Sequence, residues 1–416
     1  MLATLGPVVT GWVLVLQFIF FLGMALKCYP LMPGGLLLVE ALLLGMTTPQ
    51  ALYEELQHNF PVILLLMFMV AGIYFMKDLL LFSFSRILLG IRSKALLSLA
   101  FCFLSAFLSA FLDALTVTAV IISAAVGFYG VYHRVASGSD PRSEAQIDSD
   151  QHMPELARED LNQFRAFLRS LLMHGAVGTA LGGVCTLVGE PQNLLIGHEM
   201  GWHFQEFFFK VAPVSLPVLA AGLVTCVLLE KLRWFGYGTL LPDNVRRVLA
   251  AYAAEDDAQR TPQQRANLLV QGIAALILIV CLGLHVAEVG LIGLLVIVLI
   301  TSFTGITDEH RLGRAFQDAM PFTSLLVVFF AVVAVIHQQQ LFTPLIQWVL
   351  ALPAEQQPGM LFIANGLLSA ISDNVFVATI YITEVKQAFL NGAMSREHFE
   401  TCLLYTSDAA DEEDSG

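Results

Sequence analysis

The chain has 416 residues, of which 57% are hydrophobic and 13% charged, and its formal net charge is −13. Soluble proteins have about a quarter of their residues charged, so this composition excludes an ordinary soluble domain. Several apolar runs approach the roughly 20 residues that a helix needs to cross a bilayer, and the period-two alternation of outer-membrane barrels is missing. The sequence therefore predicts an all-α polytopic protein of an inner-type membrane, surrounded by lipid.

The first predicted span lies within residues 1–30, which lack the basic start and the cleavage site of a signal peptide. Shorter spans follow at 31–46 and 60–76. The loop at 47–59 contains no Lys or Arg, whereas four basic residues lie between 77 and 94. By the positive-inside rule the first of these loops is external and the second is cytoplasmic.

An apolar block at 95–132 is too long for one span and short for two, and basic residues flank both of its ends. Because both ends are basic, the block is predicted to be a re-entrant hairpin that enters and leaves the membrane on the same side, with Asp113 near its tip. Irregular backbone at such a depth is tolerated only where protein or a water-filled cavity surrounds it. The polar segment 133–163 is predicted to be a flexible cytoplasmic linker.

A broken helix is predicted at 167–200. Its first part carries small residues at helical spacing, which allow helices to approach closely in lipid: Gly175, Gly178, Gly182 and Gly183. Pro191 removes a backbone donor and clashes with the preceding turn, so it predicts the break. Residues 31–235 thus form the first of two predicted repeats, and Glu230 near their end is expected at the membrane interface.

The polar loop at 236–267 is predicted to be cytoplasmic because it contains several arginines. The second repeat is predicted at 268–401, where the apolar runs 268–284, 289–304 and 321–336 indicate three further spans.

The two halves share one phrase at a fixed distance. LSAFLDALTV around Asp113 returns as LSAISDNVFV around Asp373, and 373 − 113 = 260. The same spacing pairs Gly45 with Gly305, Thr47 with Thr307, Gln57 with Gln317 and Pro61 with Pro321. The loop at 307–319, which matches the external loop at 47–59, contains two arginines and is therefore predicted to be cytoplasmic. Because matching loops lie on opposite sides, the two repeats are predicted to be inverted. Inverted repeats with interrupted helices are typical of secondary transporters.

Acidic residues at the predicted breaks indicate cation chemistry. Broken helices expose carbonyl ends that favour cations, and a buried carboxylate can bind a small cation or carry a proton. The candidate acids are Asp113, Asp373 and Glu190. Neutral oxygens are expected from Ser109, Thr116, Asn193 and Asn374. The alternative is that the two aspartates only cap helices, but their matching positions in the two halves favour a function. For Glu190 both possibilities stay open, since the break at Pro191 needs a capping group.

The chain contains no GxxxxGK[ST] phosphate-binding signature, so ATP-driven transport is not predicted. We expect no cofactor other than the transported ions, and no nucleotide or nucleic-acid partner. Both a monomer and a homodimer stay open.

Four stretches carry a resemblance to a known family: FLSAFLDALT, GGVCTLVGEPQNL, KLRWFGYG and LLSAISDNVFVATIYI. They resemble the NhaB-type sodium/proton antiporters, which are inner-membrane proteins of bacteria. The resemblance runs from about Gly11 to about Glu400. The NhaB-type family belongs to an ion-transporter superfamily that also contains dicarboxylate and citrate carriers. In that superfamily each half of the protein has a re-entrant hairpin and a broken helix.

The resemblance implies a site of four parts. It places Asp113 at the first hairpin tip, residues 189–193 at the first break, and Asp373 with Asn374 at the second tip. For function, the resemblance implies Na⁺ export driven by proton entry. Together with the paired acids of the two repeats, it leads to the hypothesis that Na⁺ binds at the two aspartates.

Two departures from the family pattern affect the ends of the chain. Family members have additional hydrophobic sequence before the point that matches Gly11, and the second break would fall at 446–453, past the last residue. We therefore expect a chain truncated at both ends, with an incomplete second repeat and a non-native tail at 402–416.

The leading hypothesis is Na⁺/H⁺ exchange across the bacterial inner membrane by alternating access, without enzymatic chemistry. One alternative is Na⁺- or H⁺-coupled carboxylate transport, which a basic residue at a break would favour. Another is a truncated fragment without transport activity.

Overall fold

The computed structural model describes residues 2–23, 31–112, 114–138, 155–369 and 388–403, together with positions 378, 381, 382, 385 and 386. Within these parts the chain forms helices and turns and no β-strand. The prediction of an all-α protein is confirmed.

The first half contains ten helices within the described residues: α1 (Leu2–Gly23), α2 (Leu31–Leu43), α3 (Pro49–His58), α4 (Phe60–Tyr74), α5 (Lys77–Gly90), α6 (Lys94–Ser109), α7 (Ala114–Ala136), α8 (Glu155–Gly183), α9 (Pro191–Met200) and α10 (Phe204–Leu232). Six more helices follow: α11 (Asp243–Gln259), α12 (Pro262–Gly283), α13 (Val289–Thr304), α14 (Glu309–Gln339), α15 (Thr343–Leu350) and α16 (Gln357–Ser369). Residues 396–403 are also helical.

Four helices in the described parts of the chain are long and apolar enough to cross a membrane. They comprise most of α7, all of α10 and α12, and the C-terminal two thirds of α14. A fifth span results if α3 and α4, which meet at an angle of 56°, are taken together. The polytopic membrane class is therefore confirmed.

Glycines allow α13 to lie directly against α4. A Cβ atom built at Gly290 would lie 2.7 Å from the Cβ of Leu64, and one built at Gly293 would lie 2.9 Å from the backbone nitrogen of Met69. Neither position has room for a side chain, so the two helices pack at backbone distance. Helix α4 also contacts α14, whose Phe329 and Phe330 are completely buried.

Local structure repeats at the spacing of 260 residues. Gly45 and Gly305 both take left-handed conformations, with φ of 69° and 72°. The amide of Met46 donates to Ala41 O, and that of Ile306 to Thr301 O, each at 2.9 Å. These are equivalent helix-ending bonds, of the kind that follows a left-handed residue. The equivalence supports the repeat, while its inverted orientation stays a prediction.

The two copies differ at the next helix. Where α3 and α4 are separated by a bend at Asn59, the corresponding residues of α14 continue as one helix across Ala319. The Asn59 side chain donates to the carbonyl oxygen of Glu55 at 3.0 Å, and alanine has no such group. A side chain that inserts into the helix ladder is a recognised cause of bending.

The polar connections are more helical than expected. The loop predicted at 236–267 contains the 17-residue α11, whose Val245 and Leu249 are buried. The linker predicted at 133–163 is shortened, because α7 runs to Ala136 and α8 begins at Glu155. Hydrophobic packing explains the extension of α8, since its residues Leu161 and Phe164 are buried. Residues 139–154 lie outside the described parts.

Candidate functional site

The first functional element is the break between α8 and α9. Helix α8 ends at Gly183, residues 184–190 form turns, and α9 resumes at Pro191. Glu190 is the residue before the new helix and has an extended backbone, with φ −137° and ψ 139°. Proline fits the first position of a helix because the amide hydrogen it lacks has no partner there.

Helix α6 holds the end of α8 at backbone distance. A Cβ atom built at Gly178 would lie 2.3 Å from Cys102 O, and one built at Gly182 would lie 2.0 Å from Ala106 O. Only hydrogen fits at these two positions. The predicted role of the small residues in close packing is confirmed at both.

Two of the predicted site residues meet at the end of α8. A Cβ atom built at Gly183 would lie 2.7 Å from the Glu190 carboxylate and 3.2 Å from the Ser109 hydroxyl. Both side chains therefore face the same glycine, although 81 positions (190 − 109) separate them in the sequence. A carboxylate and a hydroxyl thus lie beside the carbonyl end of a broken helix.

Ser109 is fully buried in the last turn of α6, and no protein group in the described part of the chain hydrogen-bonds to its hydroxyl. The same holds for Ser105, one turn earlier. Buried hydroxyl groups in native proteins nearly always have a partner, so Ser105 and Ser109 offer two oxygens for contacts beyond the described residues.

Asn193 stabilises the break from within α9. Its side chain is fully buried, and its amide nitrogen lies 3.3, 3.4 and 3.0 Å from the carbonyl oxygens of Gly183, Val184 and Thr186. These carbonyls belong to the end of α8 and to the turn that follows it. The side-chain nitrogen of Asn193 thus stabilises the backbone of the break. Ion binding by the side-chain oxygen of Asn193 stays a prediction.

Thr186 is a site residue that the sequence analysis missed. Its hydroxyl donates to the carbonyl oxygen of Ala110, just beyond α6, and accepts a hydrogen bond of 3.2 Å from the amide of Gly189. It therefore ties the break to the end of α6. The only signal in the sequence is a polar residue within the run TLVGEPQN.

The remaining predicted ligands are not brought together by the described structure. Thr116 lies half-buried in the first turn of α7. Asp113, Asp373 and Asn374 lie outside the described residues, as does the tail from residue 404. Their roles stay predictions.

We expect replacement of Asn193 by leucine to destabilise the protein by about 2–3 kcal/mol, because buried carbonyl groups lose their donor. The same change at Asn162, which is exposed on α8, is the matched control and is expected to have little effect. Thermal unfolding of the purified variants in detergent measures both. Equal melting temperatures for the two variants would contradict the structural role of Asn193.

A second polar cluster lies at the other end of α6. The side chain of Glu230, which was expected at the membrane interface, is 1% exposed and so is enclosed by protein. One carboxylate oxygen accepts from the Ser98 hydroxyl at 2.8 Å and lies 3.0 Å from His174 Nε2 and 3.3 Å from Lys94 Nζ. The other accepts from the amide of Gly238 at 2.8 Å.

The ammonium group of Lys94 is equally enclosed. It donates to the Ser170 hydroxyl at 2.8 Å and lies 4.3 Å from the centre of the Phe167 ring. Position along a span did not reveal the partners that α6 and α8 supply, and the depth of Glu230 in the membrane stays a prediction. A buried carboxylate is retained when it is paired and hydrogen-bonded, as this one is.

Comparison with known proteins supports a single family. The model of the family "Bacterial Na+/H+ antiporter B (NhaB)" matches residues 1–408. The chain is 87% identical over 404 residues to the Na(+)/H(+) antiporter NhaB of Pseudomonas entomophila, a match that covers 97% of this chain and 81% of the relative. The protein of the same name from Pseudomonas aeruginosa strain UCBPP-PA14 is 76% identical over 399 residues, covering 96% and 80%. The chain therefore belongs to the bacterial Na⁺/H⁺ antiporter B family.

Proposed function

We propose that the chain exchanges Na⁺ for H⁺ across the membrane as a secondary transporter. Its relatives at 76–87% identity are named Na(+)/H(+) antiporters, which are transporters and not enzymes. One observation links the proposal to particular residues: the side chains of Ser109 and Glu190 both lie beside Gly183, where α8 ends.

The first half of the site consists of the ends of α6 and α8 with the turn that joins α8 to α9. Glu190 supplies a carboxylate and Ser109 a hydroxyl oxygen. Asp113 follows the last turn of α6 in sequence and is proposed as the principal acid. Asp373 and Asn374 are proposed to contribute from the second half.

A carboxylate suits exchange because Na⁺ and H⁺ compete for it. When it is ionised, it attracts Na⁺ together with neutral oxygens such as that of Ser109. When it is protonated, its charge is lost and the attraction for Na⁺ with it. Helix carbonyl ends at the same place favour a cation without holding it as tightly as a second charge would. One site can therefore carry each ion in turn.

We further propose alternating access, with the two repeats inverted in the bacterial inner membrane and in contact with lipid. The gradients of the two ions would drive transport, so no cofactor is required. The turn between α8 and α9 supports this mechanism, since a non-helical segment at a helix break can move at the cost of few backbone hydrogen bonds.

The carboxylate-transport alternative is not favoured. The relatives named above are antiporters of Na⁺ and H⁺. In addition, residues 184–193 contain no Lys or Arg that would pair with an organic acid.

The test of the proposed acid uses everted membrane vesicles from cells without other Na⁺/H⁺ antiporters. Respiration acidifies the vesicle interior, and Na⁺ addition should dissipate the gradient if exchange occurs. We expect Asp113→Asn to reduce this response to that of vesicles lacking the protein, because the neutral amide cannot exchange a proton for Na⁺.

Asp243→Asn, at an exposed position at the start of α11, is the matched control and should exchange normally. Ser109→Ala is expected to retain exchange but to need more Na⁺ for half of the maximal response. Unchanged exchange by Asp113→Asn, at an equal amount of protein in the membrane, would disprove its role.

A further inference from the structure

Two histidines and a glutamate converge at the end of α9 that lies opposite the break. His58 is the last residue of α3, whereas His198 and Glu199 lie near the end of α9. One donor atom from each of the three side chains falls within 4.8 Å of the others. Within the described part of the chain, it is the one group of three residues of metal-binding type whose ligand atoms come this close.

The contacts within this group centre on Glu199, whose side chain is only 5% exposed. Its Oε1 atom accepts a hydrogen bond from Nε2 of His58 and lies 4.0 Å from Nδ1 of His198. Its Oε2 atom accepts from the ammonium group of Lys386. The two imidazoles are 47% and 39% exposed, so solvent reaches them from one side.

We propose that His58, His198 and Glu199 bind a divalent transition-metal ion, with Zn²⁺ as the best fit. Two imidazole nitrogens and one carboxylate oxygen form a ligand set that zinc uses with an additional water. The proposal concerns a second site, separate from the one that carries Na⁺ and H⁺.

Zinc binding would require the three side chains to adjust their spacing. In a tetrahedral zinc site with bonds of about 2.0–2.1 Å, ligand atoms lie about 3.3 Å apart. The pair formed by His198 and Glu199 is wider, at 4.0 Å, and the pair formed by His58 and Glu199 is narrower. The imidazole nitrogens of His58 and His198 lie within 4.8 Å of each other. Zinc would take the place of the proton between His58 and Glu199, and the exposed side would admit the water.

Lys386 fits the role of an outer partner. Metal-bound carboxylates are commonly hydrogen-bonded through their other oxygen, which fixes their orientation. The ammonium group of Lys386 already occupies Oε2 and leaves Oε1 for the metal. Its positive charge weakens the site, so we expect weaker binding than in a structural zinc site.

Metal binding would connect α3 to α9. Helix α9 begins at the break and carries Asn193, which holds three carbonyl groups of that break. A bond between its far end and α3 would restrain its movement. We therefore expect zinc to slow exchange.

The binding test uses the purified full chain in detergent after removal of any histidine tag. Zinc is titrated in competition with a chromophoric chelator. We expect the wild type to bind one zinc ion per chain with saturation. Either His58→Ala or His198→Ala should lower the zinc affinity about tenfold or more. Both side chains are substantially exposed and lie on different helices, and size-exclusion chromatography checks that each variant is folded.

Two control variants distinguish this site from other histidines. His203 contacts His285, with ring centres 4.0 Å apart and the ring planes tilted by 36°, and His310 is exposed at the start of α14. His203→Ala and His310→Ala should bind zinc like the wild type. The proposed zinc site would be disproved if the wild type bound no zinc with saturation, or if His58→Ala and His198→Ala both bound zinc with the wild-type affinity.

The restraint on α9 is measured in proteoliposomes with zinc on both faces. Exchange by the wild type and by His310→Ala should slow as zinc saturates the site, while exchange by His58→Ala should not. Zinc that binds without slowing exchange would overturn the restraint.

Discussion

Replacement of Gly182 by alanine is expected to destabilise the protein by about 3 kcal/mol or more, because the new methyl group would overlap the backbone of α6. A Cβ atom at this position would lie 2.0 Å from the carbonyl oxygen of Ala106 and 2.4 Å from its Cα. Non-bonded heavy atoms prefer about 3.5–4.0 Å, so the helices would have to separate by more than an ångström. Neither contact is a flexible side chain that could move aside.

The separation would also disturb the proposed ion site. Gly183 follows directly, and it is the residue that Ser109 and Glu190 both face. We therefore expect Gly182→Ala to lose exchange along with thermal stability. Gly178→Ala should behave similarly but less severely, since its Cβ would lie 2.3 Å from Cys102 O.

Gly272 provides the matched control. It lies in the middle of α12, and a Cβ atom there would meet nothing within 4 Å. Alanine in a helix interior is favoured over glycine by roughly 0.5–1 kcal/mol, so Gly272→Ala should melt at the same temperature or slightly higher. Melting of the purified variants in detergent compares the two. If Gly182→Ala melts like Gly272→Ala, α6 and α8 are not packed at backbone distance.

The sequence predicted those features that local signals determine. The apolar runs predicted the helices, Pro191 predicted where α9 begins, and the glycines of α8 predicted a close neighbour. Each signal acts within a few residues of the structure it specifies. The repeat spacing of 260 residues was likewise readable, and the equivalent helix ends at Gly45 and Gly305 support it.

Contacts between distant segments were not predictable from one sequence. Nothing in the sequence indicates that Ser109 and Glu190 share a neighbour, or that His58 contacts Glu199 across 141 positions. The helix in the loop at 236–267 was missed for a related reason. The charged residues of α11 made the segment resemble a polar loop, whereas burial of Val245 and Leu249 against other helices adds tertiary packing that stabilises it as a helix.

Replacement of Glu230 by alanine is expected to cost about 3–5 kcal/mol, because it would leave the ammonium group of Lys94 buried without its counter-ion. The side chain of Lys94 is 6% exposed, and its nearest carboxylate oxygen is that of Glu230 at 3.3 Å. The same change removes the acceptor for Ser98 and for the amide of Gly238. The cost arises from groups that stay in place and lose their partner.

A double variant tests whether the destabilisation comes from the unpaired charge of Lys94 or from the loss of the Glu230 side chain itself. In Lys94→Met with Glu230→Leu, both charges are absent and apolar groups fill their space. Replacement of a buried ion pair in this way is often close to neutral, so the double variant should melt higher than Glu230→Ala. Arg396→Ala is the surface control: it removes a pair in which the arginine side chain is 68% exposed, and its effect should be below about 1 kcal/mol.

Exchange assays then distinguish a structural role for Glu230 from a role in transport. Lys94 begins α6 and Ser109 ends it, and 16 residues of helix extend for about 24 Å. Glu230 therefore lies far from the proposed ion site and is expected to stabilise the end of α6 without binding Na⁺. Folded Glu230→Ala protein, assayed well below its melting temperature, should show an unchanged Na⁺ concentration for half-maximal exchange. Loss of exchange with an unchanged melting temperature would instead place Glu230 on the path of the ions, where its contacts with His174 and Lys94 would offer a route for protons.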